Sequence, residues 1–464
     1  MKPELKIALF IVSAIALFLA FRFWNLDGRI IFDWDQESYA YPLKAITQGD
    51  FTLIGQRTTH ERGFFLGPHF TYLMLPFYAA ASMHPWGSLG AVVFFNLLFA
   101  GAGVFIIQRL FGWKAVGFFF IFWALHTYMI QYDITPWGPI LLPTGILATL
   151  YCLYMITKKE HIVWWLMLGL ICGFTLQMHF QFVFILAFAG IFLMRHWYDT
   201  KRVPWRNIGV AFAGFAFMFL PLLIFDLRND FFNSKAFVNF FFGSGTEGAI
   251  KAWNNWMPVF ANFMQPFFGS PSVPLGLLFY AVVLVTAIGN LRRSKGFRVP
   301  FYTAAIIVWI LLPVFFAIYG QRPSEYYFIF SLPIAILTLT DALLRTRAES
   351  LLYVLAAVYL LINAQPALRK LETNPYGLQA REELVHYLDT YYDPKTYIVS
   401  FDVELGREPG FRYLMDYYGI VTHDKGDNSL PLVQVKIPPK DGDVRVSDRM
   451  GLQIPPQLQK KDVQ

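Results

Sequence analysis

The chain has 464 residues, of which 56% are hydrophobic, 19% aromatic and only 15% charged. Soluble domains carry about 25% charged residues, so this composition argues against a soluble protein and indicates one that lies in a membrane. The net charge of +7 is modest, and the basic residues stand in short clusters between apolar runs, which argues against a nucleic-acid partner.

Uncharged apolar runs near 20 residues recur along the chain, and a helix of about that length spans the hydrocarbon core of a bilayer. The first run follows Lys2 and Lys6 without a small-residue cleavage site after it, so we predict an uncleaved first span. Residues 162–194 hold no formal charge and are too long for one helix, which predicts two spans turning near Met178-His179. The eleven predicted spans are 5–24, 88–108, 115–130, 139–157, two within 162–194, 207–225, 273–290, 299–319, 326–343 and 348–365.

The positions of Lys and Arg predict which loops face the cytoplasm. If 66–84 does not span, the basic clusters all fall on the side of the N-terminus, while the opposite loop 131–138 holds no Lys or Arg. Because short cytoplasmic loops are rich in Lys and Arg, we predict a cytoplasmic N-terminus and a multi-pass protein of the cell membrane. The segment 66–84, which Pro68 and Pro76 interrupt, is then a helix along the membrane face, and a twelfth short span is the alternative.

This topology predicts three regions on the extracytoplasmic side: a first outer loop (25–87), a large outer loop (226–272) and the C-terminal tail. The tail mixes charged residues, Pro and Tyr, and predicts a small soluble α/β domain over 366–464, separate from a transmembrane domain over 1–365. Within it, 397–401 is typical of a strand, and 382–390 and 410–418 are typical of helices. The end of the tail, rich in Pro, Asp and Lys, predicts loose order.

The first outer loop contains the strongest candidate site. Three carboxylates, Asp33, Asp35 and Glu37, stand within five residues directly after the first span. Acidic side chains at a membrane interface need a partner or a function, although solvated loop charges or a helix N-cap would also explain them. Further polar residues of the same loop are Arg57, His60, Arg62 and His69.

The order of these features resembles the GT-C glycosyltransferases that use polyprenyl-phosphate sugars. It consists of a first span, an Asp motif with a Tyr-Ala helix, a Gly-Asp turn, and a Gly-Pro interfacial helix before the second span. Protein O-mannosyltransferases and lipid A aminoarabinose transferases carry an Asp-Glu pair at this place, with the Asp as the catalytic residue. Asp35-Gln36 stands where that pair would be, and Asp33 and Glu37 are the nearby alternatives.

The resemblance extends to three later segments. In the second outer loop, 137–139 reads Trp-Gly-Pro and lacks the polar residue of the family, so Asp133 is the candidate that would substitute for it. His179 belongs to a segment similar to the family's Gln-x-His at the outer end of the fifth span. Gln321 and Arg322 begin a segment that resembles the family's polar loop before a late span. The resemblance covers the architecture of residues 1–365, and it implies an all-α polytopic fold of about eleven transmembrane helices with interfacial helices in the first outer loop.

The implied function is transfer of a sugar from a polyprenyl-phosphate donor to an acceptor protein, lipid or glycan on the extracytoplasmic face. A carboxylate that takes the proton of the acceptor hydroxyl in a single displacement predicts inversion at the sugar carbon. Arg suits the leaving phosphate because its planar fork binds two oxygens. The expected substrate-binding residues are Arg57, Arg62, Arg322, Gln321, His60, His69 and His179.

A transporter or flippase for a lipid-linked substrate is the alternative function. Transporters usually place charged residues at mid-membrane on broken helices, whereas the acids of this chain gather on outer loops. The sequence has no glycine-rich phosphate loop, which argues against a nucleotide sugar. We predict no dedicated metal site, although Asp33, Asp35 and Glu37 offer the oxygen ligands that Mg²⁺ or Mn²⁺ prefers.

Overall fold

Apolar helices form most of the computed structural model, and a small α/β domain follows them. The structure describes residues 2–58, 63–242, 265, 269, 272–318, 324–328, 330–346, 349–404, 406–424 and 429–458. The helices before the α/β domain are, in chain order, α1 (Pro3–Phe23), α2 (Leu26–Arg29), α3 (Trp34–Thr47), α4 (His69–Ala80), α5 (Gly87–Phe111), α6 (Trp113–Ala124), α7 (Thr127–Tyr132), α8 (Leu142–Lys159), α9 (Ile162–Leu176), α10 (Val183–Thr200), α11 (Trp205–Met218), α12 (Leu220–Arg228), α13 (Phe232–Phe242), α14 (Val273–Leu291), α15 (Arg298–Ile318), α16 (Ser331–Leu344) and α17 (Glu349–Arg369).

Helices occupy all the predicted spans. Among the described residues, seven helices are long and apolar enough to cross a membrane, and the bent pair α11–α12 makes eight if it counts as one span. The shorter apolar helices α6, α9 and α16 fill the remaining predicted segments. The predicted turn near His179 is confirmed, because α9 ends at Leu176 and α10 begins at Val183 after a 3-10 turn over Phe180–Phe182.

Two predicted spans have different bounds in the structure. The helix predicted over 115–130 ends at Ala124, because the His126 side chain accepts a hydrogen bond from the Met129 amide (3.3 Å) and starts the separate helix α7. The helix predicted over 326–343 begins only at Ser331, after a 3-10 turn over Glu325–Phe328.

A bend of 57° separates α11 from α12 within the predicted span 207–225. Pro221 stands in the first turn of α12 and has no amide hydrogen to donate back into α11, so the helical hydrogen-bond ladder is interrupted there. The chain therefore leaves the bundle at an angle, and α12 leads into α13 beside the first outer loop.

Small residues bring α9 and α11 close together. A Cβ on Gly169 would overlap the carbonyl oxygen of Ala211, and one on Gly214 would lie 2.9 Å from the carbonyl oxygen of Leu166. Glycine at such positions allows two helix backbones to approach within a bilayer, where dispersion contacts replace the hydrophobic effect as the main attraction. The pair forms one wall of the cavity described below.

The interfacial helix predicted within 66–84 corresponds to α4. It has 12 residues and, at about 1.5 Å per residue, a length of about 18 Å, which is shorter than the hydrocarbon core of a bilayer. Its inner face packs on α3 and α5, with the Phe70 ring 4.8 Å from that of Tyr39 and 6.1 Å from that of Phe95. Helix α4 therefore supports α3 by packing against it.

The C-terminal α/β domain, residues 378–458, has a four-stranded sheet. Its elements are α18 (Leu378–Tyr391), β1 (Ile398–Val403), α19 (Phe411–Tyr418), β2 (Leu432–Ile437), β3 (Val444–Arg445) and β4 (Gly451–Gln453). The strand order is β1-β2-β4-β3, with β1 parallel to β2 and both other pairs antiparallel. The predicted strand and both predicted helices are confirmed.

One prediction for this domain is wrong. The end of the tail was expected to be loosely ordered, yet β2, β3 and β4 lie within it. Val433 and Val435 of β2 and Leu452 of β4 are buried. The alternation of apolar residues in β2 favours a strand despite the Pro and Lys residues around it. Helix α17 ends at Arg369, and the division into domains at residue 365 stays a prediction.

Candidate active site

The three candidate carboxylates of the first outer loop lie at the start of helix α3. Asp33 is the N-cap residue, and its backbone amide donates to the Gln36 side-chain oxygen (3.1 Å), which ends the extended segment and starts the helix. The Gln36 amide nitrogen also donates to the carbonyl oxygen of Pro136 (3.3 Å). The start of α3 is thereby attached to the loop between α7 and α8.

Asp35 is half-buried and has one neutral hydrogen-bond partner. The Gln56 amide donates to its Oδ1 atom, and the Tyr39 hydroxyl donates to the Gln56 side-chain oxygen at 2.7 Å. Among the described residues no hydrogen bond reaches the Oδ2 atom. Burial and, after it, the charge of Asp33 raise the pKa of Asp35 from its ordinary value of 3.8 to about 6, and the Gln56 hydrogen bond opposes the rise. A carboxylate with a pKa near working pH is suited to accept a proton.

Aromatic side chains form the wall that faces Asp35. The negative charge of Asp35 acts on Tyr326, whose ring lies 5.0 Å from Trp137 and 4.7 Å from Tyr327. The Trp137 side chain is 9% exposed, and its indole nitrogen has no hydrogen-bond partner among the described residues. A buried indole N–H usually finds a partner, so this donor is available to a bound polar group.

The other two carboxylates of α3 turn toward the C-terminal domain. Glu37 Oε1 accepts a hydrogen bond from the Tyr413 amide at 2.8 Å. Burial raises the pKa values of Asp33 and Glu37, whereas Arg381 lowers both. The three candidate carboxylates therefore lie at the start of one helix but have different surroundings, and the charge of Asp35 acts on Tyr326 of the aromatic wall.

Asp133 lies away from this wall in a buried ion pair. Its Oδ2 atom accepts from Arg22 Nη2 (2.7 Å) and Nε (2.9 Å) and from the Trp123 indole (2.8 Å). Arg22 also donates to the carbonyl oxygens of Trp123 and Ala124. These contacts join α1, α6 and the end of α7, and they give Asp133 a structural task that satisfies its charge.

Of the two described candidate histidines, His179 lies beside the wall. His179 accepts from the Gln181 amide (3.3 Å), and its ring is 5.7 Å from that of Tyr326. Burial lowers the pKa of His179 to about 3, so it is neutral at physiological pH. His69 begins α4, and burial lowers its pKa.

Arg57 is the described candidate for a phosphate contact. Its Nε atom donates to the Gly63 carbonyl oxygen (2.8 Å), and its guanidinium lies 5.5 Å from the centre of the Phe65 ring. This cation–π contact holds the positive charge above an aromatic residue that lines the cavity described next. The remaining four candidates, His60, Arg62, Gln321 and Arg322, lie outside the described residues.

A large apolar cavity of about 820 Å³ lies between the first outer loop and helices α9 to α13. Phe65, Phe215 and Leu222 are among its lining residues, and Tyr327 and Gln181 stand at its edge. Its volume lies within the usual range for small-molecule sites. Because Tyr326 faces Asp35 and Tyr327 lines the cavity, this pair of neighbouring rings connects the carboxylate to the apolar space.

The polar corner of the cavity is hydrogen-bonded within the protein. Asn233 bonds both the amide (2.6 Å) and the carbonyl (3.1 Å) of Phe65, and Asp226 accepts from the amides of Asn233 (2.7 Å) and Ser234 (3.1 Å). The start of the large outer loop is therefore attached to the first outer loop. Within the described part of the chain, no group of three or more His, Cys, Asp or Glu side chains is arranged to hold a metal ion.

Three contributors to the site were not predicted from the sequence. Gln56, Tyr326 and Trp137 reach the surroundings of Asp35 from three separate segments. Gln56 is a neutral amide in a loop without periodicity, and nothing in its local pattern indicates its partner. The aromatic residues are equally ordinary in sequence, because Trp and Tyr are abundant at every membrane interface.

Comparison with known proteins was made in three ways. No protein-family model matches the chain, and no curated protein matches its sequence. Among solved structures, ArnT from Cupriavidus metallidurans bound to undecaprenyl phosphate superposes with a TM-score of 0.60, at 12% identity, over 97% of this chain and 98% of its own. The oligosaccharyltransferase AglB from Archaeoglobus fulgidus, in complex with an inhibitory peptide and dolichol-phosphate, superposes with a TM-score of 0.53, at 15% identity, over 91% of this chain and 65% of its own.

Both of these proteins are GT-C proteins. This chain has the GT-C fold. The likeness to ArnT runs through nearly the whole of both chains, so it includes the membrane helices and the C-terminal α/β domain together. In this chain α1 is followed by the first outer loop, which contains α3 and α4, and then by α5. The resemblance found in the sequence rests on this same order, and the GT-C fold accounts for it.

Proposed function

We propose that this chain is a membrane glycosyltransferase that moves a sugar from a polyprenyl-phosphate donor to an acceptor hydroxyl, with Asp35 as the general base. One observation carries the proposal above all others. A half-buried carboxylate, one oxygen of which has no hydrogen-bond partner among the described residues, stands beside an aromatic wall, and that wall continues into an apolar cavity of about 820 Å³. A lipid-linked sugar requires this combination, because its reacting carbon is joined through phosphate to a hydrocarbon chain.

The chemistry follows from the placement of Asp35. The acceptor oxygen attacks the anomeric carbon and forms the new glycosidic bond, while the bond between that carbon and the donor phosphate breaks and the phosphate keeps the electron pair. Asp35 Oδ2 takes the proton of the acceptor hydroxyl. One displacement of this kind inverts the configuration at the sugar carbon. The Trp137 indole N–H is a donor for an oxygen of the bound sugar.

The donor is proposed to lie with its chain in the cavity and its phosphate toward Arg57. Phe65, which lines the cavity, lies under the Arg57 guanidinium, so the positive charge is held at the edge of the apolar space. A cation at this place stabilises the charge that develops on the leaving phosphate. The crystal structure of ArnT with undecaprenyl phosphate supports a lipid-phosphate ligand for a protein of this fold.

The site is proposed to face the extracytoplasmic side, where acceptor protein, lipid or glycan would reach it. Helix α8 begins beside Trp137 and ends at Lys158-Lys159, and α10 begins beside His179 and ends before Lys201. The basic clusters therefore lie at the helix ends opposite α3, which is the distribution expected of cytoplasmic loops. Nucleotide sugars are cytoplasmic, so this orientation favours a lipid-carried donor.

The orientation is testable by cysteine labelling. A cysteine at Ser272 or Ser324 should react with an impermeant thiol reagent applied to intact cells, and a cysteine at Thr200 or Ser294 should react only after the cells are opened. The reverse pattern would place α3 in the cytoplasm, and the lipid-carried donor would lose its support.

The decisive experiment incubates the purified protein with a panel of radiolabelled polyprenyl-phosphate sugars and acceptors. We expect transfer or slow hydrolysis of at least one donor, release of polyprenyl phosphate, and a product with the inverted anomeric configuration. A retained configuration would contradict the role of Asp35 as a base. If no donor is consumed while the protein moves lipid-linked sugar across liposomes, the transporter alternative replaces the enzyme.

A further inference from the structure

The C-terminal α/β domain contacts the helix that carries Asp35. Glu37, two residues after Asp35, accepts a hydrogen bond at 2.8 Å from the Tyr413 amide in the first turn of α19. Amides in the first turn of a helix have no partner within the helix, and a carboxylate at this position also interacts favourably with the helix dipole. Glu37 therefore caps a helix of another domain, and its side chain is engaged away from the aromatic wall.

A buried guanidinium supports the same contact from the other side. Arg381 is only 2% exposed, and it donates to the carbonyl oxygens of Tyr376 (3.1 Å) and Arg407 (3.0 Å). Its charge acts on both Asp33 and Glu37, the two carboxylates that flank Asp35 in sequence. No hydrogen bond or ion pair joins Arg381 to α3 among the described residues, so Arg381 acts on Asp33 and Glu37 through its charge across the domain contact.

Further hydrogen bonds and a close backbone contact extend this attachment along the segment around α3. The Leu378 amide donates to the Ile30 carbonyl oxygen (2.9 Å), and the Tyr41 hydroxyl donates to Asp416 (2.8 Å). Gly410 has φ +94° and lies so close to the Phe32 carbonyl oxygen that a Cβ there would overlap it. The domain therefore contacts the chain both before and after Asp35.

We propose that the C-terminal domain is a positioning element of the active site, in which Glu37 and Arg381 are positioning residues that hold α3 in register with Gln56 and the aromatic wall. This inference rests on the proposed role of Asp35 as the base. It assigns Glu37 and Asp33, which the sequence offers as alternative catalytic carboxylates, to the domain contact. It also assigns a role in the reaction to a domain whose described residues do not line the apolar cavity.

The effect of losing these contacts should appear in kcat. A displacement of the base by about 1 Å can reduce the rate about 10²-fold, whereas donor binding depends on the cavity, which α3 does not line. We expect Arg381→Met and Glu37→Leu to lower kcat about 10²-fold with a donor KM within about twofold of wild type. Glu37→Gln keeps an oxygen for the Tyr413 amide and should recover most of the rate lost in Glu37→Leu.

Glu382→Gln is the matched control. Glu382 lies next to Arg381 and also joins the domain to the membrane part, through His84 (3.0 Å) and the Trp86 indole (2.5 Å), but it does not contact α3. This substitution weakens the same domain contact by a similar loss of charge. Its kcat should stay within about threefold of wild type. A loss of kcat equal to that of Arg381→Met would mean that docking in general, and not the position of α3, controls the rate.

The experiment measures the full-length variants by two readouts. Steady-state kinetics gives kcat and KM, and hydrogen–deuterium exchange follows the peptide over 34–47. We expect this peptide to exchange at least tenfold faster than in wild type in Glu37→Leu and Arg381→Met. In Glu382→Gln it should exchange at the wild-type rate. Unchanged exchange in both positioning variants would overturn the inference, whether or not the protein transfers sugar. Unchanged kcat in these variants, alongside an active wild type and an inactive Asp35→Asn, would overturn the inference while leaving the proposed function intact.

Discussion

Replacement of Asp35 by Asn should remove activity and stabilise the protein at the same time. Asn keeps the shape and an oxygen that can accept the Gln56 hydrogen bond, but it cannot accept the proton of the acceptor. Loss of a general base costs about 10²–10⁴ in rate, so most transfer should disappear.

The stability gain follows from the pKa of the carboxyl. Burial, with the charge of Asp33, raises the pKa of Asp35 from 3.8 to about 6, so holding the charge in the folded protein above pH 6 costs at most about 3 kcal/mol. The bound proton stabilises the folded state below pH 3.8, and this contribution is lost as pH rises through about 6. Asn avoids that loss, so its advantage over wild type should be absent near pH 4 and complete near pH 7.

The assay combines transfer kinetics with thermal unfolding in detergent at pH 4 and pH 7. We expect a melting temperature roughly 2–4 °C above wild type at pH 7 and no difference at pH 4. Asp50→Asn is the control, because Asp50 is an exposed carboxylate of the same loop and should change neither quantity. A folded Asp35→Asn protein with near wild-type transfer would refute the assignment of the base, and a lower melting temperature at pH 7 would refute the reasoning from burial.

Three further results are expected. Gln56→Leu removes the hydrogen bond that lowers the pKa of Asp35, so the acid limb of the pH–rate profile, which we expect near pH 6 in wild type, should move to higher pH. An acid limb that does not move would mean that Asp35 is not the group whose titration produces it. Ala216→Trp places an indole in the apolar cavity and should raise the donor KM at least tenfold, while Ala213→Trp on the exposed side of the same helix should leave it unchanged; equal KM values would remove the cavity from donor binding. Arg22→Met leaves a buried carboxylate without its ion-pair partner and should cost about 3–5 kcal/mol of unfolding free energy, measured by denaturation in detergent; a loss below about 1 kcal/mol would contradict a structural ion pair.

The membrane helices and the outer-loop helix were predictable because their signals are local. Twenty apolar residues in a row have few alternatives to a helix in a bilayer, and α1, α5 and α17 follow the predicted bounds within a few residues. The break at Ala124 and the bend before Pro221 were missed because an apolar run continues through both. Hydropathy measures transfer into the bilayer, and it does not register where a cap or a missing amide interrupts a helix.

The site was predictable only in part for the same reason. The neighbouring acids and the order of motifs in the loop indicate Asp35 as a candidate in the sequence. Its partner Gln56 can be identified only in the folded loop. Arg381 lies 346 residues after Asp35 in a helix whose sequence is that of an ordinary amphipathic helix, and only its burial and the effect of its charge on Asp33 and Glu37 distinguish it. Contacts between distant segments leave no trace in a single sequence.

The bend between α11 and α12 has a consequence for how a long hydrocarbon chain could be accommodated. Phe212 and Phe215 line the cavity from one side of the bend and Leu222 and Leu223 from the other, and Phe212 is 70% exposed while Leu223 is 50% exposed. Among the described residues, these exposed side chains leave the cavity open at the bend, and we expect this opening to face the acyl region of the bilayer. A polyprenyl tail would need to place only its first isoprene units against the protein, while the remainder stays among the lipid acyl chains. Affinity should then be indifferent to tail length beyond those first units, and the reaction would draw on whichever chain length the host membrane contains.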